Sequence, residues 1–217
     1  MYLVRPPYLL KKIYSKAIWR MDKTHKKIYL TFDDGPVQAV TPWVLDVLKQ
    51  YNIKATFFCV GENVVKYPKI YQRILDENHT IGNHTYNHLN GWNTQTKQYI
   101  DNIELCQQAL HLGNSKEQSN LFRPPYGRAK KSQISHLSNN NIAGKPSYSI
   151  IMWDVLSGDY DKKTNPEKCL SNVINNVRNG SIIVFHDNIK AQKNLEYALP
   201  RFIEYAKVQE FEFEKLD

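Results

Sequence analysis

The feature that most constrains this chain is a repeated pairing of short apolar runs with longer amphipathic segments. "KIYLTF" (27–32) precedes a helical pattern over 41–50, entered through Thr41-Pro42. Proline is well placed at a first helical position because its missing N–H has no helical partner to lose. "KATFFCV" (54–60) precedes a helical stretch over 62–77, and "HTIGNH" (79–84) one over 94–111. "LFRPPYG" (121–127) holds a short strand interrupted by prolines. "SIIMWDV" (149–155) and "SIIVFHD" (181–187) complete the runs, with helices over 165–178 and 191–206. Such alternation builds βα units on a parallel sheet. Six to eight parallel strands in an α/β chain of this length favour a distorted (β/α) barrel over an open sheet.

Composition fits one domain. Of the 217 residues 41% are hydrophobic and 12% aromatic, enough for a full core and too many for a disordered chain. The net charge of +8 is concentrated near the start and around 123–131, which suits an anionic partner. No zinc-finger, basic-zipper or RNP-type pattern accompanies it, so nucleic acid is not an expected partner. Three cysteines, Cys59, Cys106 and Cys169, cannot form a complete intrachain disulfide framework. Arg5, Pro6, Pro7, Lys11 and Lys12 interrupt the window where a signal or membrane-spanning segment would need an apolar run. Residues 1–25 are expected to form an amphipathic extension packed on the body, with peripheral membrane contact as the alternative. Residues 26–217 are expected to form the functional domain.

Unusual polar residues fall at the C-terminal ends of the apolar runs. Asp33 and Asp34 follow "IYLTF", His84 follows "TIGN", Arg123 follows "LF", Asp154 and Asp159 follow "IIMW", and His186 follows "IIVF". In α/β sheets and barrels that edge carries the active site. His84 and His88 stand four apart, a spacing that places two imidazoles on one face of a helical turn. With an aspartate from another strand end they would make a two-His, one-carboxylate set for Zn²⁺, Co²⁺ or Ni²⁺, leaving coordination positions for water and substrate. A cation on one carboxylate of the Asp33-Asp34 pair would relieve their repulsion and leave the other as a base. Arg123 can hold a carboxylate, bidentately in the best geometry. A carboxylate beside His186 would keep that imidazole protonated as an acid.

Together these residues resemble the NodB-homology polysaccharide deacetylases, carbohydrate esterase family four, over about 26–216. Five motifs occur in family order: "TFDDG" at 31–35, "HTYNH" at 84–88, "RPPYG" at 123–127, "WDVLSGDY" at 153–160 and "VFH" at 184–186. The resemblance implies a NodB-type distorted barrel with Asp33 as general base and Asp34, His84 and His88 as the metal triad. It also implies that Arg123 orients the base, the Tyr126 N–H enters the oxyanion hole, Asp159 tunes the acid, and His186 is that acid. Two positions depart from the family pattern. Val184 replaces the usual Leu, and Tyr160 replaces the Trp after Asp159, while Leu156 occupies a site often acidic and leaves Asp154 as a rival tuner.

The expected activity is metal-dependent hydrolysis of N-acetyl groups on an amino-sugar polymer or oligomer of peptidoglycan or chitooligosaccharide type, with zinc the first candidate metal. Trp92, Tyr126, Trp153 and Tyr160 are candidates to stack on sugar rings. The alternatives are a metal amidohydrolase acting on a small non-sugar amide, and a basic glycan- or nucleic-acid-binding protein without turnover.

Overall fold

The computed structural model describes residues 3–111, 119–139 and 147–217. Its strands are β1 (Lys27–Asp33), β2 (Thr56–Cys59), β3 (Thr80–Asn83), β4 (Leu121–Phe122), β5 (Ser149–Ile150), β6 (Val155–Leu156), β7 (Ile182–His186) and β8 (Glu212–Glu214). Its helices are α1 (Tyr8–Ile13), α2 (Thr41–Gln50), α3 (Gly61–Lys66), α4 (Pro68–Asp76), α5 (Thr96–His111), α6 (Lys131–Ser138), α7 (Pro166–Ile174) and α8 (Gln192–Val208). All paired strands run parallel in the order β5-β4-β3-β2-β1-β7-β6, with β8 added beside the first residues of β1. The sheet curls into a distorted (β/α) barrel.

The alternation along β1 sets up both layers. Ile28, Leu30 and Phe32 point into the main core, where Val44, Leu45 and Leu48 of α2 and Leu195, Leu199 and Phe202 of α8 cover them. Tyr29, Thr31 and Asp33 point the other way, toward the concave side, and the latter two are buried polar residues. Strand residues alternate between faces, so a single apolar-looking run can deliver Thr31 and Asp33 to the inside of the curl.

The two end strands, β5 and β6, do not pair with each other, and the N-terminal segment spans the seam. Ile18 N–H donates to Ile150 O and Met152 N–H to Ile18 O, both at 2.8 Å, while Leu156 N–H donates to Val4 O at 2.8 Å. Lys11 reaches Asp154 at 3.3 Å, and Tyr14 and Trp19 enter a second core cluster with Phe122, Ile150 and Met152. The α1 helix itself buries no residue.

Several boundaries differ from the sequence expectations. The helix expected over 62–77 is two, because Pro68 lacks an N–H and restricts Tyr67, which leaves helical geometry at φ −126°, ψ 56°. "SIIMWDV" is not one strand. Ile151 N–H still bonds Phe122 O beside β4, whereas Asp154 N–H bonds Ile182 O beside β7, so the chain crosses between the sheet's two edges there. The last helices run over Pro166–Ile174 and Gln192–Val208 rather than 165–178 and 191–206. α6 and β8 were not anticipated. No helix of the described residues is long and apolar enough to cross a membrane.

Candidate active site

Asp33 and Asp34 leave β1 in different backbone conformations. Asp34 has φ +84°, a region L-residues seldom occupy, and this rotates it away from the face that Asp33 continues. Asp33 pairs across to His186 in the β1–β7 register, so these two groups stand side by side at one strand end.

Arg123 is fully buried and every arm of its fork has a partner. Nη1 donates to Asp33 Oδ1 at 2.6 Å and to Thr31 Oγ1 at 2.7 Å. Nη2 donates to Met152 O at 3.1 Å and Nε to Ile151 O at 3.3 Å. Its guanidinium carbon stacks 4.1 Å from the Phe58 ring centroid. The grip on Asp33 is through one oxygen, not the bidentate fork that the sequence allowed. Burial lowers the guanidinium's proton affinity and Asp33 opposes that, so the pair is mutually dependent.

Asp34, His84 and His88 converge. Their ligand-type atoms all lie within 4.8 Å of one another. The spacing of the histidines is not realised on a helical turn: both sit in the loop after β3, where Thr85 (φ +64°) and His88 (φ +56°) bend the chain. His84 Nδ1 lies 2.8 Å from Arg123 O, a carbonyl that can only accept, so Nδ1 carries the proton. The Nε2 of a neutral His84 therefore presents its lone pair toward Asp34 Oδ1, 3.5 Å away, and His88 Nε2 approaches the same oxygen at 3.1 Å. That oxygen is buried without a hydrogen-bond donor. Lone pairs facing one another around an orphaned carboxylate oxygen suit a bound cation, and imidazole with carboxylate is a donor set for zinc. Burial acts to raise the Asp34 carboxyl, but His84 and His88, which donate to it when doubly protonated, and the charge of His186 hold it well below the usual carboxylate range.

Tyr126 stands beside this cluster. The hydrogen bonds of its turn run from Gly127 N–H to Pro124 O and from Arg128 N–H to Pro125 O, neither of which uses the Tyr126 N–H. Its backbone is in the left-handed region at φ +60°, and its hydroxyl lies 3.1 Å from His88 Nδ1. The sequence pointed to the amide but not to this side-chain contact with a histidine of the cluster.

On the opposite side, Asp159 Oδ1 lies 2.8 Å from His186 Nδ1, and Asp159 Oδ2 accepts the His186 backbone N–H at 2.7 Å. Burial would lower the His186 imidazole, but the charge and hydrogen bond of Asp159, with Asp34 and Asp33 behind them, raise it to about 9. Asp154 does not reach His186. It is bound by Arg178 at 2.6 and 2.8 Å, by Ser181 and by Lys11, which leaves Asp159 as the carboxylate on the imidazole. Tyr160 packs edge-on to His186 with centroids 4.7 Å apart. Val184 is buried within β7.

Of the candidate stacking aromatics, Trp92 and Tyr126 are exposed, whereas Trp153 packs on Gly127 and Trp19. Sequence reasoning missed Asn63, Asp187 and Asn188, which surround Asp34. The only signal available was the polar "HDN" continuation after His186.

The fold and this cluster define an α/β protein with a candidate metal site at the C-terminal edge of its parallel sheet. The sequence profile described as polysaccharide deacetylase matches residues 20–143. A peptidoglycan-N-acetylglucosamine deacetylase of Bacillus cereus is 38% identical over 74% of this chain and 55% of its own length. The chitooligosaccharide deacetylase of Azorhizobium caulinodans is 33% identical over 77% of each chain. A solved peptidoglycan N-acetylglucosamine deacetylase, in complex with 4-naphthalen-1-yl-N-oxidanyl-benzamide, superposes with a TM-score of 0.85 at 31% identity, covering 97% of this chain and 95% of that one. The chain spans about half the length of the Bacillus cereus relative. It belongs to the polysaccharide deacetylase family, the NodB-homology group of carbohydrate esterase family four.

Proposed function

We propose that the protein hydrolyses N-acetyl groups from an amino-sugar polymer or oligomer of peptidoglycan or chitooligosaccharide type, releasing acetate. The observation that carries this reading is the arrangement of a base, a cation seat and an acid around one strand end: Asp33 on Arg123, Asp34 between two imidazoles, and His186 on Asp159.

Asp34, His84 and His88 would hold the metal, with zinc first because of the nitrogen and oxygen donors; bound there, it would acidify water and polarise the amide carbonyl. Asp33 takes the proton of the attacking water. Arg123 occupies Oδ1, so the proton goes to Oδ2, which receives no donor among the described residues. The Tyr126 N–H donates to the developing oxyanion, a contact worth ~3 kcal/mol where a comparable donor has been removed. Asp159 holds His186 Nδ1, so the transferable proton sits on Nε2 and passes to the departing amine. An amine leaves poorly without that proton.

The test is acetate release from chitin oligomers and peptidoglycan fragments by protein stripped of metal and then reloaded with Zn²⁺ or Co²⁺. Small acetylated amines and cyclic amides run beside them as the competing substrate class. His84→Ala is expected to lose metal, whereas His186→Ala keeps metal and loses turnover. Metal-loaded protein that releases no acetate from any glycan refutes the reading.

A further inference from the structure

The two oxygens of Asp34 have different surroundings. Oδ1 faces His84 and His88 and has no hydrogen-bond donor, while Oδ2 lies 2.5 Å from Asn188 Nδ2. Asn188 has no freedom to offer its other end. Its Oδ1 accepts the Ala191 N–H at 3.0 Å in the turn that leads into α8, which fixes the amide with its NH₂ toward the carboxylate. The remainder of Asp34 is equally constrained. Asn63 Nδ2 donates to its carbonyl at 2.8 Å, its own N–H reaches Phe58 O at 3.3 Å, and the following Gly35 N–H donates to Asp187 Oδ1 at 2.9 Å. A Cβ on Gly35 would lie 1.9 Å from Asp187 Oδ2, so the turn accepts nothing larger there. These contacts offset the ~1–2 kcal/mol that a left-handed conformation costs a non-glycine residue.

We infer that Asn188 is a positioning residue for the cation site: by saturating Oδ2 it turns Oδ1 toward the histidines and commits Asp34 to ligation through a single oxygen. The inference rests on the metal-triad reading above. A neutral donor suits the task, because it orients the carboxylate and leaves its charge for the cation. A lysine or arginine at that place would compete with the cation for the same charge. Partners that orient ligating groups typically change metal affinity by ~10–100-fold when removed.

Asn188→Ser separates the two hydrogen bonds, since a serine hydroxyl can accept the Ala191 N–H but is too short to reach Asp34. Zn²⁺ affinity of the stripped full chain is measured by competition with a chromogenic chelator, and the Co²⁺-loaded protein gives a visible absorption spectrum. Thermal midpoints are taken without metal. The expected result for Asn188→Ser is a ~10–100-fold weaker Zn²⁺ and a shifted Co²⁺ spectrum, with the metal-free midpoint unchanged. Asn188→Ala is the second probe if the serine variant folds poorly, with the same expected loss. Affinity within about twofold of wild type and an unchanged spectrum overturn the inference. Failure of the wild-type chain to bind Zn²⁺ or Co²⁺ overturns the triad itself, a distinct outcome read in the same experiment.

Discussion

Replacing Arg123 tests how Asp33 is held. The guanidinium is wholly buried and makes four hydrogen bonds, one to Asp33, one to Thr31 and two to the carbonyls of Ile151 and Met152. Arg123→Ala leaves a buried carboxylate without its counter-charge, a loss that typically costs ~3–5 kcal/mol. The stranded carbonyls act in the same direction. For a domain of this size each kcal/mol moves the midpoint by ~2–4 °C, so the metal-free variant is expected to melt ~6–20 °C below wild type. Urea unfolding followed by circular dichroism gives the free energy directly. Adding Asp33→Asn removes the stranded charge, so the double variant is expected to regain stability, with a coupling of ~1–3 kcal/mol between the sites. A loss below ~1 kcal/mol with strictly additive single changes would refute the reasoning, because it would mean that Asp33 does not need the pair.

His186 supplies a pH test. Its imidazole is raised above an ordinary 6.5 to about 9, so the ion pair with Asp159 contributes stability fully below about 6.5 and loses it as pH rises through about 9. Urea unfolding of the metal-free chain from about pH 6 to about pH 10 should show that loss, and Asp159→Asn should flatten it; equal slopes for both chains would contradict the pairing. Gly127→Ala is expected to cost ~1–3 kcal/mol, because its backbone is at φ +64° and the added Cβ would lie 2.4 Å from Trp153 Cη2. Denaturant unfolding together with Trp fluorescence measures both the loss and the displaced indole.

The sheet and the cluster at its edge were legible because both are written locally. The apolar runs announce β1, β2, β3 and β7, and those of β1, β3 and β7 end on or just before a residue of the cluster. What stayed hidden depends on contacts between distant segments. Nothing local in "SIIMWDV" says that Ile151 bonds to Phe122 while Asp154 bonds to Ile182. Both Asp154 and Asp159 are eligible partners of His186 by sequence, and only Arg178, 24 residues further along, decides between them by holding Asp154. The same limit applies to the seam. Ile18 fixes the backbone at Ile150 and Met152, and the carbonyls of Ile151 and Met152 hold Arg123, so a segment outside the five motifs supports the base through the strand it pairs with.

The adjacent aspartates show how local sequence and long-range structure divide the work. Side chains on successive strand residues diverge, which explains two directions but not two chemistries. The difference arises in the surroundings. Asp33 stays in the strand conformation and meets the buried guanidinium through one oxygen. Asp34 is turned by a positive φ and meets two imidazoles, with Asn63 on its carbonyl and Asn188 on its second oxygen. Each carboxylate thus has one oxygen held by the protein and one without a donor among the described residues. Arg123 counters the charge of Asp33, and a cation held by Asp34, His84 and His88, as proposed above, would counter that of its neighbour. On the proposed reading adjacency becomes useful, because it would fix a base and a cation ligand on consecutive Cα atoms of one strand end.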